Sequence, residues 1–415
     1  MCKIQPHNDI EYLPIEKKYR LADFFDAHWD NYIQAPKRFI REEEYKAVGA
    51  MRVCRTEVLG VEKYVCEDCG EVSEVYHSCK NRFCPTCSWN DTMKWADKLK
   101  YRMFDLKHRH VVITLPHQIN SLIKLNKEKI LNIFMRTSSE VFKNWMLNKY
   151  NLKPGIISVL HTFGEKKNYH VHTHQIISWG GINTLTKQLE EIKGEYVDYK
   201  FLQKKIRIIF EQELVNLFDN KELKHNFNNR ISFLKFLKQI NKKNWVIHLE
   251  PAMDIPTEVI RYIGRYSKRA CISEYKITDI DGEYISFKYK DYKNKDIYGK
   301  AIEKELKLHY SDFFPRLLQH VPFKRFRIVR YYGHYAGASN IPKEYLYDPE
   351  QDEQENKIEK KENINKVAND FRICENCNKY KKYCYTIFKN KDNEIVKIQE
   401  MRLLKNNDFR ERCVA

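Results

Sequence analysis

Two cysteine pairs constrain this chain more than any other feature of it. Cys66-x2-Cys69 and Cys84-x2-Cys87 stand fourteen residues apart. A CxxC pair bends its backbone around one ion, and two pairs at this separation offer four thiolates that close a tetrahedron around zinc. Four sulfur ligands leave no coordination position open, so this zinc is read as structural. Cys79 and His77 lie between the pairs and are alternatives for one ligand position, while Cys54 is read as a core residue. Lys80, Arg82 and Lys94 add positive charge around the module, which suits nucleic acid. A further pair, Cys374-x2-Cys377, has only Cys384 and Cys413 left as partners. It stays open between a second metal site and reduced thiols.

Composition supports metal over disulfides. The first twenty residues, MCKIQPHNDIEYLPIEKKYR, hold no apolar signal-peptide core, and the longest apolar runs are too short to cross a bilayer. The expected location is therefore the cytoplasm, with no membrane partner, and there twelve cysteines favour metal binding. With 42% hydrophobic and 13% aromatic residues the chain can build a real core, which excludes global disorder. Its 74 basic against 56 acidic residues give a formal charge of +18 and point to a polyanionic partner.

The expected organisation is a helical segment at 1–50, a zinc-binding, DNA-binding module at 51–95, a core at 96–340, a charged linker at 341–372 and a tail with CxxC at 373–415. Within the core, HVVITLPH (110–117) reads as a buried strand, 119–150 as an amphipathic helix and 184–240 as mostly charged helix. GIISVLHTF (155–163) and YHVHTHQIIS (169–178) read as a hairpin, WVIHLEP (245–251) as a short strand, 257–269 as a helix and 277–291 as hairpin-like strands.

The second hairpin strand carries His170, His172 and His174 at alternate positions, so all three imidazoles share one face. Three in line cannot easily converge on one ion, so a ligand is expected from the neighbouring strand. A tip at Lys166 and Lys167 sets His161 opposite His172. His161, His172 and His174 then form a three-imidazole site with open positions, suited to a Lewis-acid metal. Imidazoles alone also suit zinc, whereas phosphate activation more usually recruits Mg2+ or Mn2+. Downstream, TEVIRYIGRYSKR places Tyr262 and Tyr266 four apart on one helix face. Arg265, Lys268 and Arg269 beside them would lower a phenol's pKa and bind DNA phosphates.

Taken in order, these segments resemble the HUH-endonuclease transposases of the insertion-sequence-ninety-one type, which move by a rolling-circle mechanism. CRTEVLG (54–60), CEDCG with SCKNRFCPTC, HVVITLPH, HTFGEKKNYHVHTHQIISWGG (161–181), EVIRYIGRYSKR (258–269) and RIVRYYG (327–333) carry the resemblance, from about Cys54 to Gly333. Thr173 departs from it, standing where the family pattern has a hydrophobic residue. His170-Val171-His172 fits the literal pattern, but the distance to Gly180 and Gly181 favours His172 and His174 as the ligand pair.

The resemblance implies an α+β fold, an HUH core of antiparallel sheet and flanking helices preceded by a small zinc-binding module. It implies structural Zn2+ and catalytic Mg2+ or Mn2+. It implies single-stranded DNA as partner, at element ends and targets, and a nucleoid-associated cytoplasmic enzyme. In the implied reaction Tyr266 attacks the scissile phosphate, forming a 5′-phosphotyrosine, and Tyr262 serves the second transfer. A related HUH replication initiator or relaxase, or a non-catalytic zinc-dependent DNA-binding protein, are the competing readings.

Overall fold

The computed structural model describes residues 18–36, 38–194, 196–242, 245–253, 270–337, 340–348 and 372–400. Helices α1 (Leu21–Gln34) and α2 (Glu42–Arg52) lead into a hairpin of β1 (Val61–Val65) and β2 (Val72–Tyr76), followed by α3 (Pro85–Lys100). Next come β3 (His108–Thr114), α4 (Asn120–Leu125), α5 (Lys127–Tyr150), β4 (Leu152–Lys153), β5 (Gly155–Phe163), β6 (Tyr169–Ser178), β7 (Gly180–Asn183) and β8 (Leu189–Glu191). Helices α6 (Tyr199–Asp219) and α7 (Arg230–Asn241) precede β9 (Val246–Leu249), β10 (Ile277–Asp281), β11 (Tyr284–Lys295) and β12 (Ala301–His309). The chain continues through α8 (Tyr310–Leu318), β13 (Val329–Gly333), β14 (Lys382–Lys389) and β15 (Ile395–Glu400). The fold is α+β with antiparallel sheets, as expected.

A five-stranded sheet of order β13-β5-β6-β3-β9 organises the centre, and every neighbouring pair is antiparallel. Period-two alternation sorts its side chains. Ile156 and Leu160 of β5, Val171 and Ile177 of β6, and Val111 and Ile113 of β3 join one buried core with α5 and α6. Leu202, Ile206, Phe210 and Leu214 give α6 an apolar stripe at four-residue spacing against that core. The stretch expected to be mostly charged helix holds α6 and α7, with β8 before them and a turn between them. The other face of the sheet carries the histidines. At its edge β13 runs past Gly155, where an added Cβ would stand 2.4 Å from the Tyr335 ring, so this position needs glycine.

A second core joins the N-terminal helices to residues far downstream. Leu21, Phe24, Phe25 and Trp29 of α1 pack with Cys54, Phe83 and Cys84, and also with Ile285, Phe313 and Phe314 from far downstream. Phe25 and Phe314 stack at 4.3 Å between centroids. Helices this short cannot bury enough apolar surface alone, and α1 and α2 share a core with residues between 271 and 321. The C-terminal strands join the N-terminal hairpin. β14 pairs with β1 and extends the N-terminal hairpin to the order β15-β14-β1-β2. Among the described residues no helix is long and apolar enough to cross a membrane.

Candidate metal centres and catalytic cleft

His161 on β5 is the direct cross-strand partner of His172 on β6, and His174 lies opposite Val159. The hairpin tip is longer than the expected two residues. Gly164 N–H donates to Asn168 O and Lys167 sits at φ 59°. A register shift between His161 and Phe163 absorbs the difference, so the expected pairing holds. One nitrogen from each of His161, His172 and His174 lies within 4.8 Å of the others. Burial, followed by the neighbouring imidazole of His161, pushes both His172 and His174 well below their ordinary value of 6.5. The rings are therefore neutral and offer lone pairs, as a metal requires. Thr173 is fully buried on the opposite face, between positions that face α5.

Hydrogen bonds choose which nitrogens face the centre. His172 Nδ1 lies 3.0 Å from the carbonyl oxygen of His170 and donates to it. His174 Nδ1 lies 2.9 Å from His110 Nε2. The Glu250 carboxylate stands 3.3 Å from His110 Nδ1 and favours the proton there. His110 Nε2 then accepts from His174 Nδ1–H. His172 and His174 are both left with Nε2 to give to a metal, and the chain His174–His110–Glu250 supports the ligand from behind. Neither His110 nor Glu250 is singled out by the sequence. Its one available signal was alternation, since His110 is two residues from Val112, the cross-strand neighbour of His174.

The three imidazoles open onto a cleft of about 750 Å³. The β5–β6 tip forms one wall with Lys166 and Lys167, and β11 forms another with Tyr289, Lys290 and Lys293. The acidic groups on these walls are already engaged, since Glu165 pairs with Lys276 at 2.9 Å and Asp291 with Lys304 at 2.8 Å. The lip is thus basic on balance, and three imidazoles with open positions on its floor fit a divalent cation bound beside a phosphate.

Tyr262, Tyr266, Arg265, Lys268 and Arg269 lie outside the described residues. The flanking residues have defined places. Met253 exchanges backbone hydrogen bonds with His108 on β3. Ala270 N–H donates to Ser88 Oγ, and Ala270 and Cys271 line the histidine cleft.

The cysteines assemble differently from the expected single tetrahedron. Cys84 and Cys87 gather with Cys54 and Cys79, whereas Cys66 and Cys69 gather with Cys374 and Cys377. The physical reason is the β1–β2 hairpin. Cys66 and Cys69 sit at its tip and Cys79 just beyond its base, and five residues of strand hold these ends roughly 16 Å apart. Cys54, read as core, is buried but supplies a sulfur, with Cys54–Cys87 at 3.4 Å and Cys79–Cys87 at 3.5 Å. Zinc–sulfur bonds of about 2.3 Å set tetrahedral sulfurs about 3.8 Å apart, so this cluster fits zinc. Hydrogen bonds from Cys54 and then Cys79 hold the Cys87 thiol far below its ordinary value, and the contact with Cys79 brings Cys54 to about 7. His77 belongs to neither cluster, because its ring bonds to Leu59 O and to Glu62.

With the site in view, comparison with known proteins is direct. Residues 24–115 match the family described as "Transposase zinc-binding domain", and residues 155–343 match the family described as "Putative transposase". The chain is 28% identical over 321 residues to "Putative transposase y4qJ" of Sinorhizobium fredii (strain NBRC 101917 / NGR234), covering 75% of this chain and 79% of that protein. It is 26% identical over 322 residues to "Transposase for insertion sequence element IS801" of Pseudomonas savastanoi pv. phaseolicola, covering 74% of each. No solved structure matches the chain. Together these matches support a transposase of the insertion-sequence-ninety-one type with an N-terminal zinc-binding domain.

Proposed function

We propose that this transposase nicks and rejoins single-stranded DNA through a 5′-phosphotyrosine intermediate during rolling-circle transposition. One observation carries the reading: the imidazoles of His161, His172 and His174 converge on the floor of a basic cleft that Ala270 and Cys271, the residues following the tyrosine-bearing segment in sequence, also line. His161, His172 and His174 would hold Mg2+ or Mn2+, which when bound would polarise the scissile phosphate. Lys166, Lys290 and Lys293 would hold flanking phosphates, with Arg265, Lys268 and Arg269 contributing from the tyrosine segment.

In the proposed reaction the Tyr266 oxygen bonds to phosphorus as its phenolic proton is lost. The bond from phosphorus to the 3′ oxygen breaks, and that oxygen leaves with the electron pair and takes up a proton. Tyr266 then carries the 5′ phosphate, and a free 3′-OH is released. Rejoining reverses the bonds: a 3′-OH attacks the phosphotyrosine and the proton returns to the phenol. Tyr262 makes the second attack in strand transfer. The phosphodiester energy stays in the covalent link, so no nucleoside triphosphate is needed. A cytoplasmic, nucleoid-associated enzyme acting on element ends and targets follows from this reading.

The experiment is a cleavage assay on single-stranded DNA carrying the ends of the element, with Mg2+, Mn2+ or a chelator. A covalent 5′ adduct that forms with metal and disappears with chelator or with His172→Ala supports the reading. Cleavage that survives both treatments rejects the histidine centre, and cleavage without an adduct rejects the tyrosine chemistry.

A further inference from the structure

The second cysteine cluster joins parts of the chain more than 300 positions apart. Cys66 Sγ lies 3.3 Å from Cys377 Sγ, Cys69 Sγ lies 3.4 Å from Cys374 Sγ, and Cys377 and Cys69 are 3.8 Å apart. These separations are far longer than a disulfide bond of about 2.05 Å and near the edge of about 3.8 Å expected of zinc tetrathiolate. Two disulfides are therefore not what the geometry describes.

The two loops that deliver these sulfurs are built alike. Cys66 O accepts from Gly70 N–H at 2.9 Å, and Cys66 N–H donates to Glu71 O at 2.9 Å. Cys374 O accepts from Asn378 N–H at 2.9 Å, and Cys374 N–H donates to Lys379 O at 2.8 Å. The residue after each second cysteine is left-handed, Gly70 at φ 73° and Asn378 at φ 56°. Each loop thus curls its two sulfurs to the same side, and the loops face one another. Ion pairs join them: Lys379 to Asp68 at 3.0 Å, Lys381 to Glu71 at 3.0 Å and Lys382 to Glu67 at 2.5 Å. The Cys374 thiol donates to the Glu71 carboxylate, which also holds Lys381, and zinc would displace that thiol proton.

We propose that Cys66, Cys69, Cys374 and Cys377 bind a second structural zinc, which clasps the C-terminal strands to the N-terminal module. The zinc-binding-domain match ends at residue 115, so Cys374 and Cys377 lie outside it. The first cluster has its own four sulfurs, and the clasp therefore adds an ion instead of sharing one. Zinc binds as four thiols release their protons, with no change of oxidation state. The clasp closes a loop of some 300 residues, a long-range constraint that strand pairing between β1 and β14 alone supplies more weakly.

The test is zinc content of the full chain, purified reduced, by native mass spectrometry and elemental analysis. The wild type should hold two thiolate-bound zinc ions, counted in a His172→Ala background so that the imidazole centre does not contribute. Cys374→Ser, Cys377→Ser and Cys66→Ser should each hold one, Cys54→Ser should hold one at the clasp, and Cys384→Ser should keep two. Cobalt titration of the metal-free wild type avoids any variant that misfolds, and its thiolate-to-metal absorption should grow through two equivalents and then saturate, with any cobalt at the three imidazoles adding none. Saturation at one equivalent, two zinc ions in Cys374→Ser, or a mass showing a disulfide in place of zinc would each overturn the assignment.

Discussion

His110 Nε2 stands 2.9 Å from His174 Nδ1, with the rings stacked at an interplanar angle of 5°. This contact ties an outlying strand residue to a proposed metal ligand and places that ring's proton on Nδ1. Replacing His110 with Ala should weaken Mn2+ binding by about 10- to 100-fold, the usual effect of losing a group that orients a ligand. Glu250→Gln should act in the same direction and more weakly. Isothermal titration with Mn2+ reads the effect directly. A lowered unfolding midpoint with unchanged metal affinity would mean that His110 only packs.

On the proposed mechanism, Tyr266→Phe should remain folded, bind single-stranded DNA and fail to form the covalent 5′ adduct, because it loses only the oxygen proposed as nucleophile. Tyr262→Phe should still cleave and fail to complete strand transfer. Peptide mapping of the adduct on labelled DNA decides the order, and an adduct on Tyr262 alone would reverse it.

Lys166 and Lys293 line the lip of the cleft. If each meets one phosphate, Lys166→Ala and Lys293→Ala should each reduce the slope of log affinity against log salt by about 0.7 on single-stranded DNA, uniformly across sequences. Unchanged slopes in both variants would take the strand out of this cleft.

His108 gives a stability prediction. Burial, opposed by a hydrogen bond to Leu106 O, pushes its imidazole from 6.5 down to about 4. The ring is neutral in the folded chain, held between Leu106 O and the Tyr335 hydroxyl, while the unfolded chain takes up a proton below 6.5. Its contribution is thus complete above pH 6.5 and falls away towards pH 4, by up to ~3 kcal/mol. His108→Gln cannot titrate and should flatten that part of the urea stability curve relative to wild type. Parallel acid slopes would exclude His108 as a source.

Much of the site was legible in the sequence because it rests on local rules. Alternation put His172 and His174 on one face, and hairpin register put His161 beside them, even though the tip proved longer than two residues. The left-handed residues after Cys69 and Cys377 are equally local, and the spacing of Cys66 with Cys69 and of Cys84 with Cys87 marked both pairs as metal ligands. What period and spacing could not supply were partners chosen at a distance. His110 and Glu250 reach the centre only because β3 and β9 line up beside β6.

The cysteines show the division most clearly. The sequence by itself determined that Cys66 with Cys69, and Cys84 with Cys87, would each curl around an ion, because a CxxC turn is set by four consecutive residues. Which pairs share an ion was decided only in three dimensions. A five-residue hairpin, stiffened by its own hydrogen bonds, holds Cys66 and Cys69 away from Cys84 and Cys87. That leaves Cys54 and Cys79 to complete one cluster, and the returning strand β14 to bring Cys374 and Cys377 to the other.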